Sequence, residues 1–313
     1  MLKGPPDRLP ELMQKFFVER LQSQQAASVH TLASYRDTFR LFLAFIEQKI
    51  KRSASQQRLQ DWSSSQVLQF LNFLEKQRRC AVRTRNSRLA AIRAFMRYVA
   101  QEEPSALALS QSVLAIPMKR FDRLLVGYLS RNEVEAILAA TDSATASGRR
   151  DHLLLSLLYN TGARVSEILA LQRQNIRQPA TVIEIIGKGR KQRSLPLWKS
   201  TAAELHRYLA TLSAEASALV FTNRFGQRLT RSGVEKRLRQ TVQRALPRCP
   251  SLKDRRISPH TFRHSTAMHL LQAKVDITVI ALLLGHETPS TTHHYIELDL
   301  RMKESCLAKR KPP

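Results

Sequence analysis

The clearest strand in this chain is short, Thr181-Val-Ile-Glu-Ile-Ile186, and it leads through Gly187-Lys-Gly-Arg190 into a second stretch, Gln192 to Leu197. Two runs rich in β-branched or alternating residues, joined by a glycine turn, read as one small antiparallel hairpin. Most other periodic segments carry the three-and-four spacing of amphipathic helices. The expected class is therefore mainly α with a small antiparallel β-sheet.

Helices fill the first hundred residues. Pro10 to about Gln24 carries Leu12, Phe16, Phe17 and Leu21 on one face. Ser28 or Thr31 can cap a second helix displaying Tyr35, Phe39, Phe42, Leu43 and Ile46. A third, 64–77, sets Val67, Phe70, Leu71 and Leu74 inward, and a fourth, 84–100, sets Leu89, Ile92, Phe95, Met96 and Val99 inward. Arg83, Arg85, Arg88, Arg93 and Arg97 crowd this fourth helix almost without acidic partners, which reads as a helix riding on phosphates. From Gln101 to about Gly127 the periodicity fades, and an extended basic linker is expected there.

Ser130-Arg-Asn-Glu133 has the spacing of a capping box, so a second domain opens near it. The expected division is a helical domain over 1–104, a linker over 105–126 and a second domain over 127–313. Val134, Ile137 and Leu138 follow that cap, and the domain continues with a very apolar helix, Leu153 to Tyr159, stopped by Asn160-Thr-Gly162. A short helix with Val165, Ile168 and Leu169 follows, then the hairpin. Further helices are expected at about 199–212, 230–245, 260–273, 276–284 and 298–309.

Lys and Arg number 51 against 25 Asp and Glu, a formal charge of +26. The basic residues recur along the whole chain, which fits a polyanion as partner better than a solvated surface of mixed sign. An anionic membrane is the weaker partner, since no basic amphipathic anchor stands out. The amino terminus lacks an apolar signal-peptide core and no apolar run reaches membrane-spanning length, so a cytoplasmic location is expected. Cys80, Cys249 and Cys306 are odd in number and scattered, which fits a reducing compartment and no disulfide framework or zinc ribbon.

Five short motifs carry groups suited to phosphodiester chemistry: Gly162-Ala-Arg164, Gly187-Lys188-Gly189, His260-Thr-Phe-Arg263-His264, Leu284-Gly-His286, and Tyr295. Attack by a tyrosine needs the nonbridging oxygens neutralised, and guanidinium forks do this at any working pH. Arg164 and Arg263 can supply that clamp, with His286 as a further donor. His260 is the natural acceptor for the proton of Tyr295, because imidazole titrates nearest neutrality. Lys188, on the hairpin tip, can return a proton to the departing sugar oxygen. A phosphotyrosine ester conserves the energy of the broken bond, and no Gly-x-x-x-x-Gly-Lys nucleotide loop is present, so neither ATP nor another cofactor is expected. His260 and His264 share a helical face, yet Arg263 between them argues against zinc. Taken singly, each residue has a bland alternative: Lys188 a solvated turn, Tyr295 a buried anchor.

Leu157-Leu-Tyr-Asn-Thr-Gly-Ala-Arg-Val-Ser-Glu167-Ile-Leu, Ile186-Gly-Lys-Gly-Arg-Lys-Gln-Arg193-Ser-Leu-Pro, Pro259-His-Thr-Phe-Arg-His264 and Leu284-Gly-His-Glu-Thr-Pro-Ser-Thr-Thr-His-His-Tyr295 together resemble the tyrosine recombinase (phage integrase) family, in particular its bacterial Xer-type branch. The resemblance covers nearly the whole chain. It implies Arg164 and Arg263 as the catalytic arginines, Lys188 as general acid, His260 and His286 completing the pocket, Tyr295 as nucleophile and Glu167 as a supporting acid. It also implies a clamp around duplex DNA, made of a helical core-binding (SAM-like) domain and an α+β catalytic domain. Four protomers, alone or with sister recombinases, would exchange strands at a specific site, with the tail 296–313 docking onto a neighbour. Arg85, Arg88, Arg93, Arg97, Arg190 and Lys191 are the expected DNA contacts, in a bacterial, nucleoid-associated protein. Ile296-Glu297 departs from the Thr-His that often follows the tyrosine in Xer proteins, and integration, excision and dimer resolution stay equally open. A type IB topoisomerase, an inactive architectural DNA-binding protein and a carboxylate-dependent transposase are the rival readings.

Overall fold

The computed structural model describes residues 8–121, 127–177, 180–187, 192–212 and 218–285. The chain divides into two compact units, Met1–Arg123 and Leu124–Pro313.

In the first unit α1 (Leu9–Lys15) runs directly into a π-helical stretch, Phe16–Gln24. Ser28 caps α2 (Val29–Ile50), its hydroxyl accepting the Thr31 N–H at 3.1 Å. Ser63 does the same for α3 (Ser64–Lys76), and α4 (Val82–Glu102) completes the expected set. The inward faces meet in an aromatic centre of Phe16, Phe39, Phe42, Phe70 and Phe95, all buried, with Trp62 from a short turn preceding α3. Trp62 stacks on Phe39 and meets Phe42 edge-on at 4.9 Å. Burying each such ring contributes about 1.5–3 kcal/mol relative to leaving it in water.

The stretch after α4 is not the extended linker expected of it. Glu103 breaks the helix, Pro104 opens a new turn, and Leu107–Leu114 forms α5. Ala106, Val113 and Ile116 are buried in the same aromatic core, and their spacing is helical. The chain beyond α5 is also tied down. Asn86 donates to the Lys119 carbonyl at 2.7 Å and accepts its N–H at 3.1 Å, while the Lys119 ammonium pairs with Glu75 at 2.9 Å.

The second unit opens as the Ser-x-x-Glu spacing predicts. Glu133 accepts the Ser130 N–H at 2.8 Å, and Ser130 accepts the Glu133 N–H at 3.2 Å, capping α6 (Arg131–Ala139). Next comes α7 (Ala146–Thr161), which begins seven residues before the expected start at Leu153 because Thr145 caps it there. Gly162 ends it in the left-handed conformation, φ 60°. A single turn, α8 (Val165–Ile168), leads to the sheet: β1 (Ile176–Arg177), β2 (Val182–Ile186) and β3 (Gln192–Pro196), antiparallel in that order. The two-residue β1 is too short to leave a sequence pattern. α9 (Lys199–Ala210), α10 (Arg231–Ala245), α11 (Pro259–Gln272) and α12 (Ile277–Leu284) follow. Their core joins Leu153, Leu157 and Leu158 of α7 to Ile168, Ile183, Leu205, Phe221, Leu238 and Phe262. The expected helix at 298–309 and the tail lie outside the described residues. No described helix is long and apolar enough to cross a membrane.

Candidate active site

The end of α7 sets the first element of the site. A helix that must stop and turn sharply uses a left-handed residue, which only glycine adopts cheaply. A Cβ on Gly162 would lie 2.4 Å from Leu284 Cδ2, so the turn is also pressed against the end of α12. Two residues on, Arg164 occupies the N-cap of α8 in extended conformation. Its N–H donates to Glu167 Oε2 at 2.8 Å and its Nη1 to Oε1 at 3.0 Å, so backbone and guanidinium are fixed by one carboxylate. The loop preceding α10 holds the same turn, since Arg228 donates to the Ser166 carbonyl at 2.8 Å.

Arg263 enters from α11 and is 5% exposed. Nη1 donates to the Gly162 carbonyl and Nη2 to the Leu284 carbonyl, each at 2.7 Å. Both acceptors sit at helix C-termini, where unpaired carbonyls concentrate partial negative charge. The guanidinium is thus held in a fixed plane between the ends of α7 and α12.

His260 lies one turn earlier on α11 and is exposed. Desolvation by the surrounding protein lowers its pKa first, and the positive charges of Arg231, Arg263 and Arg164 lower it further. Both effects favour the neutral imidazole over its charged form. The two motif arginines flank one turn: Arg263 holds the Gly162 carbonyl, and Arg164 lies two residues beyond it.

Glu167 is buried, which raises its pKa. The hydrogen bonds from Arg193 and from the Arg164 backbone outweigh that, and the carboxyl is held below its ordinary value. Arg193, which motif reasoning left without a role, forks onto Glu167 through Nη2 at 2.7 Å and Nη1 at 3.3 Å. Its signal was the strand phase: Arg193 and the buried Leu195 lie two apart on β3 and so face the same side.

Lys188, Arg190, Lys191, His286 and Tyr295 lie outside the described residues. His264 is half-buried. Among the described residues, no group of three or more His, Cys, Asp or Glu is placed to hold a metal ion. On α4 the expected DNA contacts separate. Arg97 is exposed and Arg88 and Arg93 are half-buried. Arg88 donates to the Ser34 carbonyl and to Thr38. Arg85 is buried and corrects the expectation: its Nη1 donates to Asn86 and to the Pro117 carbonyl, because the chain beyond α5 folds over it.

The sequence profile described as the phage integrase family matches residues 127–301, and that of the phage integrase N-terminal SAM-like domain matches residues 15–103. The protein y4rC of Sinorhizobium fredii is 45% identical, over 97% of this chain and 92% of its own. Tyrosine recombinase XerC of Chlamydia muridarum is 30% identical, over 95% of this chain and 96% of its own. Among solved structures, the XerH site-specific recombinase bound to palindromic difH substrate after cleavage superposes with a TM-score of 0.69. It covers 91% of this chain and 81% of that one at 21% identity, so it speaks to the fold. With a catalytic-domain profile over more than half its length and relatives matched nearly end to end, the chain belongs to the phage integrase family, the tyrosine recombinases.

Proposed function

We propose that the protein is a site-specific DNA recombinase that breaks and rejoins strands through a covalent 3′-phosphotyrosyl intermediate, with neither ATP nor a metal. Tyr295 Oη attacks the phosphorus and the 5′-oxygen leaves. The tyrosine proton passes to His260, and Lys188 protonates the departing oxygen. Arg164 and Arg263 neutralise the nonbridging oxygens as the fifth bond forms, with His286 as an additional donor. Rejoining is the same step in reverse, with the 5′-hydroxyl of a new partner strand as nucleophile, so the bond energy is conserved throughout.

The observation that supports this reading is the pair of guanidiniums fixed around the Gly162 turn, Arg263 by the carbonyls of Gly162 and Leu284 and Arg164 by Glu167, with His260 one turn before Arg263 on α11. Preorganised charge of this kind stabilises a transition state without the cost of reorganising at the moment of reaction. The helical unit would grip the same duplex, with 127–313 carrying the chemistry. Four protomers on two sites, with the tail 296–313 passing between neighbours, would complete the exchange in a bacterial cytoplasm. Integration, excision or resolution are the biological outcomes such chemistry serves.

The test begins with a binding site selected by the wild-type chain from a randomised duplex pool. A nicked suicide duplex built on that site should trap a covalent adduct, with EDTA present and nucleotide absent. Tyr295→Phe should bind the duplex with wild-type affinity and trap none. Adduct formation by the phenylalanine variant, or none by wild type, would overturn the assignment.

A further inference from the structure

Three pieces of the catalytic unit that sequence places far apart meet at one side chain. Arg193 stands on β3 opposite Ile185 of β2, whose side chain is buried. Strand alternation would put an apolar residue at such a position. Arg193 is there instead, its side chain only 14% exposed.

Each of its three nitrogens donates a hydrogen bond. Nη2 and Nη1 fork onto Glu167, and Nε donates to the Leu283 carbonyl at 3.2 Å. Glu167 is thereby filled. Its two oxygens accept from the Arg164 N–H, the Arg164 guanidinium and both Arg193 nitrogens. On the other side, Leu283 and Leu284 are the last two residues of α12, and Arg193 and Arg263 take one carbonyl each. Gly285 then leaves α12 in the left-handed conformation, φ 65°, and a Cβ there would lie 2.7 Å from Arg193 Nη1. The backbone passes so close to the guanidinium that a side chain would displace it. In sequence, the next residue is His286.

We propose that Arg193 is a positioning residue for strand cleavage: its guanidinium locks Glu167 against Arg164 and, in the same grip, sets the direction in which the chain leaves α12. It acts on the phosphate only through the groups that it holds, Arg164 by way of Glu167 and the end of α12 by way of the Leu283 carbonyl. A single planar cation can serve both tasks because its fork and its Nε point in different directions, which a lysine ammonium does not reproduce. The inference rests on the recombinase reading above.

The experiment uses the full chain and the suicide duplex, with Arg193→Gln, Arg193→Lys and Glu167→Gln variants. Single-turnover adduct formation by Arg193→Gln should fall on the order of 100-fold, the size expected when a reacting group is misplaced by about an ångström. Duplex affinity should stay at the wild-type value. Arg193→Lys, which keeps the charge and most of the volume, should fold and show an intermediate loss. The rate of the double variant Arg193→Gln/Glu167→Gln should be no lower than that of the worse single variant, since both break one linkage.

The pH profile supplies a readout that general loosening of the fold would not move. Without Arg193, burial pushes the Glu167 carboxyl up, so the acid limb of adduct formation should shift to higher pH. Wild-type rates in Arg193→Lys overturn the proposal. So does a loss that is uniform across pH and multiplies with that of Glu167→Gln. Failure of the wild-type chain to form any adduct would sink the recombinase reading itself, a distinct outcome.

Discussion

In the amino-terminal unit Arg85, 7% exposed, spends Nη1 on Asn86 and on the Pro117 carbonyl. In the catalytic unit Arg263, 5% exposed, spends both Nη atoms on carbonyls that end helices. Both are arginines buried within a helix and fixed by backbone oxygens. The Arg85 Nε is buried without a hydrogen-bond partner among the described residues, and the bonds it does make strap the chain beyond α5 to its own unit. Arg263 is aligned beside a second arginine and a histidine that its charge depresses. Burial of a guanidinium thus has two meanings. In one place the charge is incidental to a strap; in the other the proposed chemistry uses the straps to aim a charge.

That contrast can be broken most sharply at Arg263. Arg263→Ala should lower adduct formation by about 100- to 1,000-fold, as removal of one aimed donor does, while an Arg85→Met variant cleaves at the wild-type rate. Equal losses in the two would erase the distinction. The support of Arg263 is the next place to press. Gly162→Ala forces an L residue into the left-handed region, at about 1–2 kcal/mol, and drives a methyl group toward Leu284. Because Gly162 and Leu284 both supply carbonyls to Arg263, cleavage should fall by more than the shift in the thermal midpoint accounts for. A loss of stability with full cleavage would show that the turn does not aim the charge. The smallest effects belong to the amino-terminal unit. Arg85→Met should cost about 1 kcal/mol of folding stability and leave the salt dependence of binding unchanged. The exposed Arg97, if it meets a phosphate, should reduce the slope of log affinity against log salt by about one when replaced with alanine.

How much of this was legible in the sequence varied with how local the cause was. The Ser130/Glu133 cap, the Gly162 stop and the β2–β3 hairpin depend on a few neighbouring residues, and each lies where its spacing predicts. α5 was hidden because Leu107-Ala-Leu-Ser-Gln-Ser-Val-Leu114 has no charged face to contrast with its apolar one. Arg85 looked like the other arginines of its helix, because only the fold brings Pro117 over it. Arg193 was hardest to read. Its partners, Glu167 and Leu283, are 26 and 90 residues away, and nothing in a linear pattern joins them.

The end of α12 has a further consequence. An α-helix turns about 100° per residue, and here the count runs from the Asp276 cap, whose carboxylate accepts the Thr278 N–H at 2.7 Å, to Gly285. Inserting or deleting one residue in those eight would swing the Leu283 and Leu284 carbonyls away from both arginines and send the chain out of the helix in a new direction. α12 therefore works as a gauge: its length, more than the identity of most of its side chains, is what this protein must keep.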